Sequence, residues 1–410
     1  MKNLIYLFLF TQMFTNAFAI SPFVTIALGI SIILFVLGIK KNVFSIGFKE
    51  PPFLTFFFLV LFGGYVFIAT GEKKTNHFLM WTIPAFLYYY IFRRELYKLF
   101  TLEQIKGEVL KVITFSLLFA CFFAIVEFLF VNLLGNDMSF IPRGMREEYA
   151  PTAMASIRAR SFMEESGYFS FYWELFAPLG VYWINKNISN ILKKYICYSI
   201  ILAGLILSFS AYGFVCLLLW GISLFFFNLK SAKNSRTIVT TFFCVIVIIL
   251  LVILLVPEIY ELFSLVIGGK LDPESASHSD RASRFEVLSY LDVTSIIIGY
   301  GPNAAGTLKF DNSFMSFYLG ALMNTGVLGL ACFGMFLLNQ LKYVRKMSDR
   351  NLKLAFFLSL WFSSMHLMFI DIIYVPWFWV MLSLLGVTYF KEKDMLKRLD
   401  LGNKKFPHNI

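Results

Sequence analysis

Charge is what this chain has least of. Asp, Glu, Lys and Arg make up 15% of its 410 residues, against about 25% in a typical soluble domain. Histidine occurs four times and cysteine five times. The cysteines (Cys121, Cys197, Cys216, Cys244 and Cys332) are scattered through apolar runs with no CxxC pair. That excludes a disulfide scaffold or thiolate metal site and leaves them as small buried hydrophobes. No HExxH and no GxxxxGK[ST] loop is present, so neither zinc-protease chemistry nor the use of cytoplasmic ATP is indicated. What the chain does have is apolar surface: 59% hydrophobic residues, with 50 Phe among them, and a mean hydropathy of +0.73. One soluble domain of this length cannot hide that surplus, which rules against a soluble enzyme, a nucleic-acid-binding module or a disordered chain. The expectation is an all-α polytopic membrane protein, with residues 1–410 forming a single domain.

About 20 mostly apolar residues are needed for a helix to cross a hydrocarbon core of about 30 Å. Twelve runs qualify: 3–20, 22–39, 53–71, 77–92, 112–134, 168–185, 195–209, 211–227, 238–256, 313–340, 354–370 and 372–390. The tenth is interrupted by Asn324-Thr325-Gly326, the mark of a broken helix. The first ends in Asn16-Ala17-Phe18-Ala19, whose Ala-x-Ala form resembles a signal-peptidase site. Because the second run follows almost at once, the first is read as an uncleaved helix. With both termini in the cytoplasm, alternate crossings place 26 of the 36 Lys and Arg residues on the cytoplasmic side, as the positive-inside rule requires. The net charge of +11 is therefore a topology signal and needs no nucleic acid to explain it. The basic tail 391–410 is expected to contact anionic lipid.

Two long connections, 135–167 and 257–312, come out on the extracytoplasmic side and hold most of the remaining polar residues. Six arginines lie in them: Arg143, Arg146, Arg158, Arg160, Arg281 and Arg284. Basic residues are disfavoured on that side, so these need a reason. A guanidinium offers a planar fork of donors matched to phosphate oxygens and keeps its charge at any physiological pH. Asp280–Asp292 has a helical pattern, with Phe285, Leu288 and Leu291 on one face and Arg281 and Arg284 three residues apart. Such a pair of clusters would suit a lipid diphosphate at the outer leaflet, where preorganised cations would offset charge developing on a departing diphosphate.

Three stretches carry a resemblance to a known family, the Wzy-type polymerases of O-antigen and capsular polysaccharide, relatives of the O-antigen ligases. Arg160-Ser-Phe-Met-Glu164-Glu165-Ser166-Gly-Tyr-Phe169 is similar to the family's R-S-F-x-E-P-S-x-F/Y segment. Leu207-Ser-Phe-Ser210-Ala-Tyr-Gly213 is similar to its L-S-x-S-x-x-G turn. Arg284, Ile298-Gly299-Tyr-Gly301, Asp311-Asn312 and Gly326-Val-Leu-Gly329 resemble its terminal signature. What this implies is a metal-independent, cofactor-free, inverting C-type glycosyltransferase of the bacterial plasma (inner) membrane. It would join undecaprenyl-diphosphate-linked oligosaccharide repeat units into O-antigen or capsule. Its partners would be those lipid-linked oligosaccharides, membrane lipids and a chain-length regulator protein, with no nucleic acid.

Carried over residue by residue, the resemblance gives Arg160 and Arg284, with Arg158 and Arg281 beside them, the role of binding the donor diphosphate. Glu164 would be the general base or orient the acceptor hydroxyl. Where the family has proline this chain has Glu165, so either Glu164 or Glu165 fills the acidic role. Asp311 stands where ligases carry histidine, which weakens a ligase reading or moves the base role to a carboxylate. Asn312 either caps the tenth helix or hydrogen-bonds sugar. Within the membrane, Glu127, Glu174 and His366 are the ionisable exceptions, each explained by an interhelical hydrogen bond or by function, and His366 is a reserve candidate for the base. Gly299-Tyr300-Gly301-Pro302 reads as a tight turn. Two other functions remain open: a flippase or other transporter of lipid-linked oligosaccharide, and an O-antigen ligase.

Overall fold

The computed structural model describes residues 1–14, 17–19, 24–39, 52–68, 71–135, 138, 141, 157–229, 286–310, 314 and 316–404. Among these the chain is helical, and no strand occurs. Helices occupy each expected apolar run except 238–256, which lies outside the described residues. They are α1 (Lys2–Thr11), α2 (Ile26–Ile39), α3 (Phe53–Ile68), α4 (Glu72–Pro84), α5 (Phe92–Leu99), α6 (Leu102–Gln104), α7 (Leu110–Leu134), α8 (Ser166–Asn187), α9 (Ile191–Leu207) and α10 (Ala211–Leu229). After the gap come α11 (Val293–Ile298), α12 (Ala304–Thr307), α13 (Phe317–Lys346), α14 (Arg350–His366) and α15 (Pro376–Lys404). Short π-helical stretches, Ala85–Ile91 and Ile105–Val109, join α4 to α5 and α6 to α7. The first follows Pro84, which has no N–H to give to the helix.

Local chemistry sets the ends. Thr101 and Gln104 form a capping box at the start of α6, and Asn190 and Asp349 accept from the third residue of α9 and α14. Two helical runs, Leu102–Leu134 and, counted across Gly326, Phe317–Lys346, are long and apolar enough to cross a membrane. Large apolar side chains also line the outside, among them Phe67 at 83% exposure and Leu133 at 73%. Arg93, Glu127 and Glu174 are buried instead, an inversion of the soluble pattern.

The tenth run does more than break. In an unbroken helix Phe317 and Phe333 would stand about 24 Å apart along the axis, yet their ring centroids are 4.7 Å apart. The chain turns back at Gly326 (φ 65°, ψ −173°), so residues 317–325 and 327–346 lie side by side. Phe57, Trp81, Phe317 and Phe333 pack together where the two arms meet α3 and α4. A reversal leaves helix carbonyls without intrahelical donors, and the Gly299–Gly301 turn supplies them. Tyr300 N–H donates to Met323 O at 2.8 Å, Gly301 N–H to Asn324 O at 3.1 Å, and Ala304 N–H to Asn324 Oδ1 at 2.9 Å. Gly299 and Gly301 both sit at φ 75°, so this is the tight turn expected from sequence. Lys74 Nζ holds the carbonyl of Tyr300 at 3.3 Å.

Two local expectations change. The Asp280–Asp292 helix is absent from the described part of that stretch: Glu286–Tyr290 is a 3-10 turn, Val287 is buried and Leu288 is exposed. Asp292 does not end a helix; it starts the next one, in a capping box with Ser295. The cap of α13 is Ser316, whose hydroxyl accepts from Leu319 N–H, and Asn312 lies outside the described residues.

A Cβ on Gly326 would come within 2.2 Å of Ile297 O, at a φ that L-residues resist. Gly326→Ala is therefore expected to destabilise the protein by about 2–4 kcal/mol through strain and overpacking. Thermal unfolding in detergent would register this as a lowered midpoint, whereas Gly334→Ala, with open space around it, should leave the midpoint near wild type.

Candidate functional site

Residues 157–165 leave helical structure before α8 and are tied down at each step. Ile157 exchanges two hydrogen bonds with the Asn132 side chain, N–H to Oδ1 at 2.6 Å and O from Nδ2 at 3.0 Å. Ala159 N–H donates to Leu207 O at 3.0 Å. The Glu127 carboxylate of α7 accepts from the N–H of Arg160 at 2.8 Å and of Ser161 at 2.7 Å, both on Oε2. Ser161 is held at φ 55°, a left-handed conformation costing a non-glycine residue about 1–3 kcal/mol. Its hydroxyl donates to Ala120 O at 2.8 Å. Phe162 stacks on Phe123 at 4.2 Å and on Phe119 at 5.7 Å. Glu127 is thus accounted for, since this one buried carboxylate orders the backbone on which Arg160 stands.

Arg160 is 5% exposed, and its Nη1 donates to the backbone carbonyl of Glu164 at 3.1 Å. Arg158, Glu164 and Glu165 are half-buried on the same segment, and Glu165 is the residue at which α8 begins. The structure adds partners that the sequence did not suggest. Tyr168, one turn into α8, hydrogen-bonds Tyr374, which lies in the connection 367–375 between α14 and α15. The negative charges of Glu164, Asp371 and Glu165 all bear on the Tyr374 hydroxyl. Burial pushes the Asp371 carboxyl up to about 7. Tyr374 also borders a cavity of about 290 Å³ whose lining includes Leu28, Asn76, Leu79, Met80 and Tyr88. Mostly apolar walls with a few polar groups make a pocket suited to an amphiphile.

His366 lies apart from that cluster in its bonding. Its Nδ1 is 2.8 Å from Glu174 Oε2, and Ser170 Oγ donates to Glu174 Oε1 at 3.1 Å. The Tyr212 ring covers the imidazole at 4.4 Å, and Phe171 meets it edge-on at 5.6 Å. This is the interhelical pairing expected for intramembrane ionisable residues. Gly213, last of the Leu207–Gly213 motif, permits it. A Cβ there would stand 2.6 Å from Ser170 Oγ, so glycine lets α10 close on α8.

Arg158, Arg160, Glu164 and Glu165 are therefore brought together on one braced segment, and Glu174 and His366 form a second group. Arg281, Arg284, Asp311 and Asn312 lie outside the described residues. Tyr374 and Asp371 were missed. A carboxylate set between two apolar runs was the available signal for Asp371, and Tyr168 stood inside the Arg160–Phe169 motif without being singled out. Among the described residues no cluster of His, Cys, Asp and Glu has a metal-binding arrangement. No protein-family model matches the sequence, and no curated protein is similar enough to count as a relative.

Glu127→Ala would leave two buried N–H groups without an acceptor, at a cost of about 2–4 kcal/mol. Hydrogen exchange at residues 158–164 should speed up in that variant while the α8 interior stays protected. Unchanged exchange there would mean that Glu127 does not brace the segment.

Proposed function

We propose that this chain is an integral membrane polymerase that joins lipid-diphosphate-linked oligosaccharide repeat units at the outer face of the bacterial plasma membrane. The supporting observation is the buried Arg160 guanidinium, held against the Glu164 carbonyl on a segment whose backbone the Glu127 carboxylate fixes. The twelve crossings and cytoplasmic termini of this reading rest on the positive-inside distribution of Lys and Arg. The exposed apolar side chains and the two helical runs of spanning length support membrane association.

Glycosyl transfer from a lipid diphosphate needs two things of the protein: a cation for the charge building on the departing diphosphate, and an acceptor for the attacking hydroxyl's proton. Arg160 supplies the first, with Arg158 next to it. A guanidinium already locked in place needs little reorganisation as the bond breaks, and a removed donor of this kind costs about 10²–10³ in rate. The carboxylates beside it are the proton acceptors within reach. The mostly apolar cavity bordered by Tyr374 suits the lipid end of such a substrate.

One observation favours a second reading, a transporter of the same lipid-linked oligosaccharide. The fold-back of α13 makes a half-helix, and transporters often direct half-helix ends at their substrate. Here that end is already engaged: Phe317 N–H donates to both Leu367 O and Ile370 O at 3.0 Å. The polymerase reading therefore keeps precedence. A ligase would use the same site with a different acceptor.

The deciding experiment incubates purified protein with a lipid-diphosphate repeat unit and scores a ladder of products. Arg160→Ala should produce no ladder while remaining in the membrane fraction, and Arg160→Lys should recover only part of the rate, since lysine lacks the fork. Normal long-chain glycan from Arg160→Ala would overturn the assignment. In a deletion strain, single lipid-linked units should accumulate outside; accumulation inside would point to the transporter, and loss of only the final attachment to the ligase.

A further inference from the structure

A second cavity, of about 460 Å³, is walled by α8, α10 and α14 and shares no lining residue with the first. Two hydrogen bonds show how α8 and α14 run past it. His366 Nδ1 meets Glu174 at 2.8 Å toward one end of the pair, and Tyr182 donates to Asp349 at 2.8 Å toward the other. The two helices are therefore antiparallel neighbours. At the Asp349 end the lining is polar, with Asn185 and Lys186 from α8 and Asp349 and Asn351 from the start of α14. Further in it is apolar: Pro178, Leu354, Leu358 and, from α10, Trp220. Lys186 and Pro178 are eight residues apart, so the cavity extends about 12 Å along α8.

The charge left over at the polar end is positive. Asp349 is engaged within the protein, accepting from Tyr182, from the Leu352 N–H at 3.1 Å and from Lys106 at 3.2 Å. Lys186 is exposed, and its ammonium donates to the neutral Tyr182 hydroxyl at 3.3 Å. Among the described residues it pairs with no carboxylate. Lys194 Nζ, held on the Asn185 carbonyl at 3.1 Å, brings a second ammonium to the same rim. This is the end that the positive-inside rule assigns to the cytoplasm.

We infer that this cavity binds an anionic phospholipid of the cytoplasmic leaflet. Its phosphate lies at Lys186 and Lys194, and the first part of one acyl chain rests on Pro178, Leu354, Leu358 and Trp220. Neither half of the site suffices alone. A free phosphate at two exposed ammonium groups is screened by salt, and a bare hydrocarbon chain finds equal company anywhere in the bilayer. A negative headgroup carried on an acyl chain matches both halves, as basic pockets between helices on the cytoplasmic side do. A zwitterionic lipid fits less well, because its own ammonium would stand against the two lysines. The site owes nothing to the glycosyl-transfer reading, since it lies at the end of α8 and α14 away from Glu174 and His366.

Native mass spectrometry of the full chain, delipidated in detergent and titrated with dioleoyl-phosphatidylglycerol, tests this. One molecule should bind saturably, with dioleoyl-phosphatidylcholine weaker by about tenfold or more. Glycerol 3-phosphate should not displace it. Lys186→Gln should weaken phosphatidylglycerol binding about fivefold. Lys342→Gln, an exposed lysine on α13 outside the cavity, should leave it at the wild-type value. Val181→Trp, which fills the cavity from the half-buried wall of α8, should abolish binding, its fold being checked by circular dichroism and melting temperature. If that variant misfolds, the comparison of Lys186→Gln with Lys342→Gln still decides. Equal weakening in those two variants would reveal diffuse surface charge, and equal binding of the two lipids an unselective hydrocarbon contact. Either result overturns the inference, as would displacement by glycerol 3-phosphate or full binding by a folded Val181→Trp protein.

Discussion

Among the described residues, the longer departures from helix answer to one constraint: backbone polar groups in apolar surroundings must find partners within the chain. Four of them are residues 157–165, the Gly299–Gly301 turn, the Gly326 reversal and 367–375. Each is matched by groups elsewhere in the chain. Glu127 and Leu207 receive the first. The turn receives the reversal. The connection 367–375 receives the start of α13 through Leu367 and Ile370. Irregular backbone is thus partnered piece by piece, by helix groups at 157–165 and by other irregular pieces at the turn, the reversal and 367–375.

The opposite end of the helices is closed by charge pairs. Lys106 lies 3.2 Å from both Asp349 and Glu392. Tyr182 donates to Asp349 at 2.8 Å, and Ser348 N–H to Glu392 at 2.9 Å. Four helices are joined by this network at the end where the sequence places its basic residues. Deeper in, Arg93 rests on the rings of Tyr89 and Phe390 at 5.0 and 5.4 Å, a cation–π arrangement that strengthens as water is removed. One end is stitched by compensated charge, and at the other Tyr374 stands between a cavity and the charges of Glu164, Asp371 and Glu165. That asymmetry is what the proposed chemistry requires: a rigid frame behind and a polar working surface in front.

Arginine suits this surface for a reason separate from its charge. Its fork is planar and preorganised, and the Nη1 bond to the Glu164 carbonyl on the same braced segment holds it in place. The strain of the left-handed Ser161 is retained because Glu127, Ala120 and the stacked Phe162 together over-determine that conformation.

Local chemistry was enough to make much of this legible. Apolar runs, caps and the Asn324-Thr325-Gly326 interruption depend on residues near one another in the chain, and the sequence by itself determined the helical segments, the Gly299–Gly301 turn and the grouping of Arg158, Arg160, Glu164 and Glu165. Contacts between distant residues carry no such local mark. That Gly326 reverses the chain instead of kinking it depends on Ile297 and on Tyr300, Gly301 and Ala304. The choice of His366 as the partner of Glu174 depends on α14 packing along α8. Leu288 was expected inside because helical spacing was assumed, and a 3-10 turn placed Val287 there instead. The meeting of Tyr168, Tyr374 and Asp371 was decided by tertiary structure alone. A side chain's solvation and its partners belong to the packed state, and two residues some two hundred positions apart acquire a shared environment only when the helices close around them.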